Sequence, residues 1–268
     1  MSVNVADLTF TSMETVTLFD VNTGNYLFTI DEIQDFSIAQ TQDTTDVTGK
    51  NGRKLATIKR NKAVTLSGTN GLISAGLLEM QTGSEFENTT TTVRWTDYLS
   101  VADDTATTTY TAVGTEGAEI IGLYIKNSDG TLEEELTQDS SAGDGTFAYD
   151  ASTKTLTFSG IDDGTDIVVF YDRTISADVL ENDSETYSLT GTMYADFLAE
   201  DKCSNVYRVQ VYVPKADFSG EFSLDISDSQ AVHSFEVTAL AGACGTSGQY
   251  YTLTIFDSDA EDAEGEAA

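Results

Sequence analysis

The stretch VYRVQVYVP, residues 206–214, alternates strictly: Tyr207, Val209, Val211 and Val213 fall on one side of an extended chain, Arg208 and Gln210 on the other. Successive side chains of a strand point to opposite faces, so a period of two marks a half-buried antiparallel strand. The neighbouring segments repeat it. Phe222, Leu224 and Ile226 share a face in EFSLDIS, Phe235, Val237 and Ala239 in HSFEVTAL, and Tyr251, Leu253 and Ile255 in YTLTIFD. Polar and apolar positions also trade places through YSLTGTMYA, residues 187–195. Residues 185–256 therefore read as an antiparallel β region. The acidic, Ala/Gly-rich end at 257–268 reads as a disordered tail.

The N-terminal part is also β. LTFTSMETVTLFD (8–20) reads as a strand, Asn22-Thr23-Gly24-Asn25 as a turn, and Tyr26–Ile30 as the returning strand of a hairpin. Residues 39–62 differ, being polar, punctuated by Gly and without a sustained period. They hold Lys50, Arg53, Lys54, Lys59, Arg60 and Lys62, six of the 13 basic residues. This segment is expected to be a long loop, either functional or a solvated, disordered excursion whose charges offset the acidic surround. A short strand, AVTLS (63–67), follows it.

Thr69 or Asn70 is then expected to cap a helix running to about Thr82. Ile73, Gly76, Leu77 and Met80 fall on one face of that helix, Leu72 and Leu78 widen the stripe, and Gly83 stands where a stop is expected. Beyond it, EFENTTTTVRWTDYLSV and TATTTYTAV are Thr-rich and strand-like. Residues 117–175 look like a separate β unit. Asp129-Gly130 marks a hairpin there, and Thr146–Tyr149, Thr155–Phe158 and Asp166–Tyr171 follow as short strands between Gly/Asp clusters.

The expected fold is mainly β: an antiparallel β-sandwich or barrel core with one flanking α-helix, a long basic loop and a small additional β module. The expected division is 1–112 plus 176–256 for the core and 113–175 for the module.

The net charge of -32 repels free nucleic acid and anionic membranes, which argues against sequence-reading nucleic-acid binding. Cys203 and Cys244 are too few for a disulfide framework and read as small, buried, reduced side chains. The opening MSVNVADLTF shows neither a basic nor an apolar leader region, and no segment approaches the ~18 apolar residues of a membrane span. Synthesis in the cytoplasm without membrane association is the expectation.

Catalytic chemistry finds little footing. The single histidine, His233, sides with Phe235 and Val237 and reads as a partly buried strand residue. Neither cysteine belongs to a CxxC pair, and no phosphate-binding glycine loop opens a helix. Asp162-Asp163-Gly164 and Asp228-Ser229 offer carboxylates for calcium but lack the EF-hand order, so they read as turns. No catalytic, cofactor or metal site is expected. The basic loop invites a different use, as an arm docking on an acidic surface of another copy.

The hairpin at 16–30, the loop carrying Val47-Thr48-Gly49-Lys50-Asn51-Gly52-Arg53, the strand Ala63–Ser67, the helix after it and the later strands together resemble a bacteriophage tail tube, or major tail, protein. The resemblance covers residues 8–100 and 185–256. It implies a β core with one helix, assembled as hexameric rings that stack into a tube. Genomic DNA would pass through that tube without sequence-specific binding, and other tail proteins would be partners. It also implies that Lys50, Arg53, Lys54, Lys59, Arg60 and Lys62 contact neighbouring subunits. Ile73 and Leu77 of the helix are further candidate contacts. The location implied is the virion tail, assembled in the host bacterial cytoplasm. A capsid decoration or head-tail connector protein would share this composition. So would an exported surface module, or a sugar-binding protein using Trp95, Tyr98 and Tyr110.

Overall fold

The strand that opens the sequence reading forms as expected. β13 (Val206–Phe218) buries Val209, Val211 and Val213 and leaves Arg208 exposed, because one face of its sheet covers the core and the other meets water. The computed structural model describes residues 7–226, 231–241 and 248–257. The Asp228-Ser229 pair, Cys244 and the acidic tail beyond Asp257 lie outside them.

The chain divides into two units, Met1–Phe86 with Leu180–Ala268 and, separately, Glu87–Val179. The first is built on a nine-stranded sheet. β1 (Thr9–Asp20) and β2 (Tyr26–Ile30) are the expected hairpin. Its turn is held by the Asp20 carboxylate, which accepts from the backbone N–H groups of Asn22 (2.9 Å) and Thr23 (2.6 Å). β3 (Ile33–Thr48) and β4 (Lys54–Asn70) form a second, much longer hairpin. After the helix α1 (Ala75–Thr82) the unit resumes with β12 (Thr190–Glu200), β13, β14 (Leu224–Ile226), β15 (Ala231–Ala239) and β16 (Thr252–Phe256). The strand order is β2-β1-β12-β13-β15-β4-β3, with β16 added to β13 and β14 to β15. The sheet curls around one core that includes Leu18, Leu66, Met193, Val211, Phe235 and Val237.

The helix is shorter than expected and starts later. Asn70 stays in the β ladder opposite His233, so neither Thr69 nor Asn70 caps it. Ser74 is the cap, its hydroxyl accepting from the Leu77 backbone N–H at 3.4 Å. Leu77 and Met80 point into the core, whereas Leu72 and Ile73 precede the first turn and are exposed. Gly83 ends the helix as read, in the left-handed conformation with φ 78°.

The second unit is a seven-stranded sheet over its own core of Leu123, Phe147, Leu156, Ile167, Val169 and Tyr171. It contains β5 (Glu87–Ser100), β6 (Thr105–Thr107), β7 (Ile120–Lys126), β8 (Leu132–Gln138), β9 (Thr146–Asp150), β10 (Thr155–Thr157) and β11 (Asp166–Val179). β7 and β8 are joined at Asn127–Thr131, with Gly130 at φ 87°, where Asp129-Gly130 marked a turn. β8 and β9 run parallel; the other pairs are antiparallel. The expected boundary at 113 falls inside this unit. β5 pairs with β11 along its whole length, from Ser100 opposite Asp166 to Glu87 opposite Val179, and this carries residues 87–112 into the second unit. Among the described residues no helix is long and apolar enough to cross a membrane.

Candidate assembly surface

The segment expected to be a loop is a ribbon. β3 and β4 stay paired from Ile33 opposite Asn70 out to Thr48 opposite Lys54, and β15 reaches β4 only over Val64–Asn70. Beyond that point the two strands run on with no third strand among the described residues, and residues 37–63 are exposed apart from half-buried Gly49. A ribbon wet on both faces needs no polar-apolar alternation, so no period of two marked it. Its signals are the β-branched residues (Thr41, Thr44, Thr45, Val47, Thr48, Thr57 and Ile58) and the Asn51-Gly52 tip.

Local chemistry explains its shape. An extra residue enters β4 where the register passes from Thr41 opposite Ala63 to Asp43 opposite Arg60. Asn61 takes φ 50° there and donates its side-chain amide to Asp43 Oδ2 at 2.9 Å. Such a bulge bends and twists a strand, here at the point where the ribbon leaves the core. At the far end Asn51 (φ 64°) and Gly52 (φ 72°) close the turn, and the Gly49 N–H donates to the Arg53 carbonyl at 2.7 Å. Asp46 accepts from Thr57 Oγ1 at 3.0 Å and pairs with Lys54 Nζ at 2.7 Å.

All six basic side chains singled out from the sequence lie on this ribbon and are exposed. Lys54 is paired with Asp46, and Lys62 sits 5.4 Å from the ring centre of Tyr250, whose hydroxyl donates to the Lys62 carbonyl at 2.8 Å. Lys50, Arg53, Lys59 and Arg60 form no ion pair among the described residues. Against six basic groups the ribbon carries only Asp43 and Asp46, on a chain whose net charge is -32. It is a cationic arm on an anionic body. Ile73, 44% exposed, is available at the surface, but Leu77 is fully buried in its own subunit's core. Leu77 is thus withdrawn from the contact residues, because periodicity marks the apolar face of a helix without saying what covers it.

The remaining sequence candidates scatter. His233 is fully buried. Its Nδ1 accepts from the Ser74 N–H at 3.4 Å and its Nε2 meets Gln81 Oε1 at 2.7 Å, so it is a core residue with both nitrogens engaged. Burial lowers its pKa. Cys203 is exposed in a turn, against the expectation of burial. Asp163 accepts from the Asp103 N–H at 2.8 Å, a turn contact. Among the described residues no three His, Cys, Asp or Glu side chains cluster as metal ligands would.

Trp95, Tyr98 and Tyr110 do not make one platform. Trp95 meets Tyr110 edge-on at 5.1 Å with the Arg173 guanidinium against both rings, whereas Tyr98, three positions from Trp95, faces the other way. Sequence reading missed Asp97, buried under that cluster. It accepts from Trp95 Nε1 (2.9 Å), Thr109 N–H (2.7 Å), Thr109 Oγ1 (2.9 Å) and Tyr171 OH (2.8 Å). Burial works to raise its pKa, but the hydrogen bonds outweigh it and hold the carboxyl below the usual carboxylate range.

A curled β core with a projecting charged ribbon has the make-up of a structural subunit. The family model of the YomU/Tube proteins matches residues 9–253, and the chain belongs to that family of phage tube-type structural proteins. Among curated proteins, none matches the chain.

Proposed function

We propose that this chain is the repeating subunit of a phage tail tube, assembling as stacked, hexameric rings around a channel through which DNA leaves the virion. The observation that carries the reading is the ribbon: a two-stranded arm with six basic residues, solvated on both faces, on a subunit of net charge -32. An arm of one sign on a body of the other favours head-to-tail contact, which closes into rings or extends into filaments. The acidic body suits a channel for DNA, because it repels phosphate instead of holding it. The role is mechanical, with no catalytic step.

Negative-stain electron microscopy of the purified chain across low and high salt tests this. Hollow tubes or stacked rings are expected at low salt. A chain that stays monomeric at every salt and concentration, and binds only to preformed capsids, would make it a decoration protein instead.

A further inference from the structure

Beside the foot of the ribbon the nine-stranded sheet holds a groove of about 720 Å³. It runs between two strand edges that have no strand partner among the described residues. β1 pairs with β12 along its length, but β2 covers only Val16–Phe19, so the other edge of Thr9–Thr15 is unpaired among the described residues. β3 ends the sheet on the opposite side. Phe36 and Phe197, edge to face at 5.2 Å, line the groove, and Phe10, Ile38 and Leu253 stay exposed along it at 57%, 37% and 42%. Asp35 is the one charged residue in its lining. An apolar trough flanked by open strand edges suits an extended segment.

The far end of the ribbon has the complementary character. Thr45 pairs with Ile58 and Val47 with Ala56, so Val47, Ala56 and Ile58 share one face. Val47 and Ile58 are each 39% exposed, and Lys54, Lys59 and Arg60 lie near Ala56 and Ile58 along β4. We propose that this face of one copy's ribbon seats in the groove between β1 and β3 of a second copy. The inference rests on the tube reading and names the contact that reading needs. Two features select another copy as occupant. The body of the subunit is acidic overall, matching a basic arm, and the apolar face of the arm matches an apolar groove. Arm tip and groove lie at opposite ends of the same hairpin, about 27 Å apart for eight extended residues. The contact is therefore heterologous, and each docking leaves a free arm and a free groove for the next copy.

The test uses full-length chains: a ribbon variant, Val47→Asp with Ile58→Asp, and two separate groove variants, Phe10→Asp and Leu253→Asp. All four positions are exposed, and circular dichroism checks folding. Each variant alone is expected to raise the concentration needed for stacking about tenfold or more, since a charge replaces a buried apolar contact. Mixing the ribbon variant with a groove variant should restore one docking per pair and give short complexes without long polymer. Groove variants that fold and stack like the wild type would overturn the inference while leaving the tube reading standing. A wild-type chain that never self-associates would overturn both.

Discussion

His233 Nε2 lies 2.7 Å from Gln81 Oε1, and this contact ties β15 to the last turn of α1. The arrangement fixes the tautomer. Nδ1 accepts from the Ser74 N–H, so Nε2 carries the proton and donates to Gln81. Gln81 Nε2 in turn donates to the Ser234 carbonyl at 2.9 Å. A protonated imidazole would set a second N–H against the Ser74 N–H, inside a site with no counter-charge among these partners.

Acid should therefore loosen the first unit before its carboxylates titrate. Burial lowers the folded-state pKa of His233 from 6.5, so between the two values the unfolded chain binds the extra proton. Its contribution is complete above pH 6.5 and is lost as pH falls toward the folded value, with a slope of at most about 1.4 kcal/mol per pH unit. Urea midpoints measured from pH 7.5 to 5.5 should fall for the wild type. His233→Gln should lower the midpoint throughout and flatten the slope, and an equal slope in both proteins would assign the acid response elsewhere.

Gly83 is a second fixed point of the helix. Its φ is 78°, and a Cβ built there would lie 2.1 Å from the Tyr187 carbonyl oxygen, a backbone atom. Gly83→Ala should thus cost about 2 kcal/mol or more, combining a left-handed penalty with displacement of the 187 segment. Thermal melts should show this. Gly24→Ala, at a positive φ but in open space, serves as the control for strain alone.

What the sequence disclosed follows from what was buried. β13 and β15 were legible because each has one face on the core, and burial writes a period of two. Asn22–Asn25 and Gly83 were legible because special backbone conformations demand particular residues. The ribbon buries nothing, so its polar residues read as a loop. The helix start is not legible because Leu72 and Ile73 continue the apolar stripe although they lie before the first turn. That residues 87–112 belong to the second unit is not legible, because β5 pairs with a strand some eighty positions away, and local pattern carries no trace of that partner. The clustering of basic residues is legible in the sequence; that they stand on one two-stranded arm is not.

Asp97 anchors the second unit. It is buried with four donors on its two oxygens, and it tethers Tyr171 and Thr109 around Trp95. Asp97→Asn would put an amide N–H₂ among groups that all donate, and the expected cost is roughly 3 kcal/mol. Because the folded pKa is held below 3.8, the wild-type contribution is present above that value and lost as pH falls through the folded one. Trp95 is the chain's single tryptophan, so its fluorescence reports this unit. Asp97→Asn should shift the fluorescence-detected transition without altering the acid slope that His233 gives the other unit.

The ribbon charges should matter for assembly and hardly at all for folding. Lys50, Arg53, Lys59 and Arg60 form no ion pair among the described residues, and the exposed Lys54–Asp46 pair is worth at most about 1 kcal/mol. Replacing all six basic residues by Gln should leave the melting transition within a few degrees of wild type. The same variant should stack poorly, with a phenotype resembling wild type at high salt, where a Debye length of about 8 Å or less screens arm from acidic body. Sedimentation of both proteins from 20 mM to 500 mM salt separates the contributions. If the apolar face at Val47 and Ile58 alone drives stacking, the six-charge variant polymerises as well as wild type and neither responds to salt. If charge steers the arm, wild-type polymer declines as salt rises while the variant is low and flat across the series.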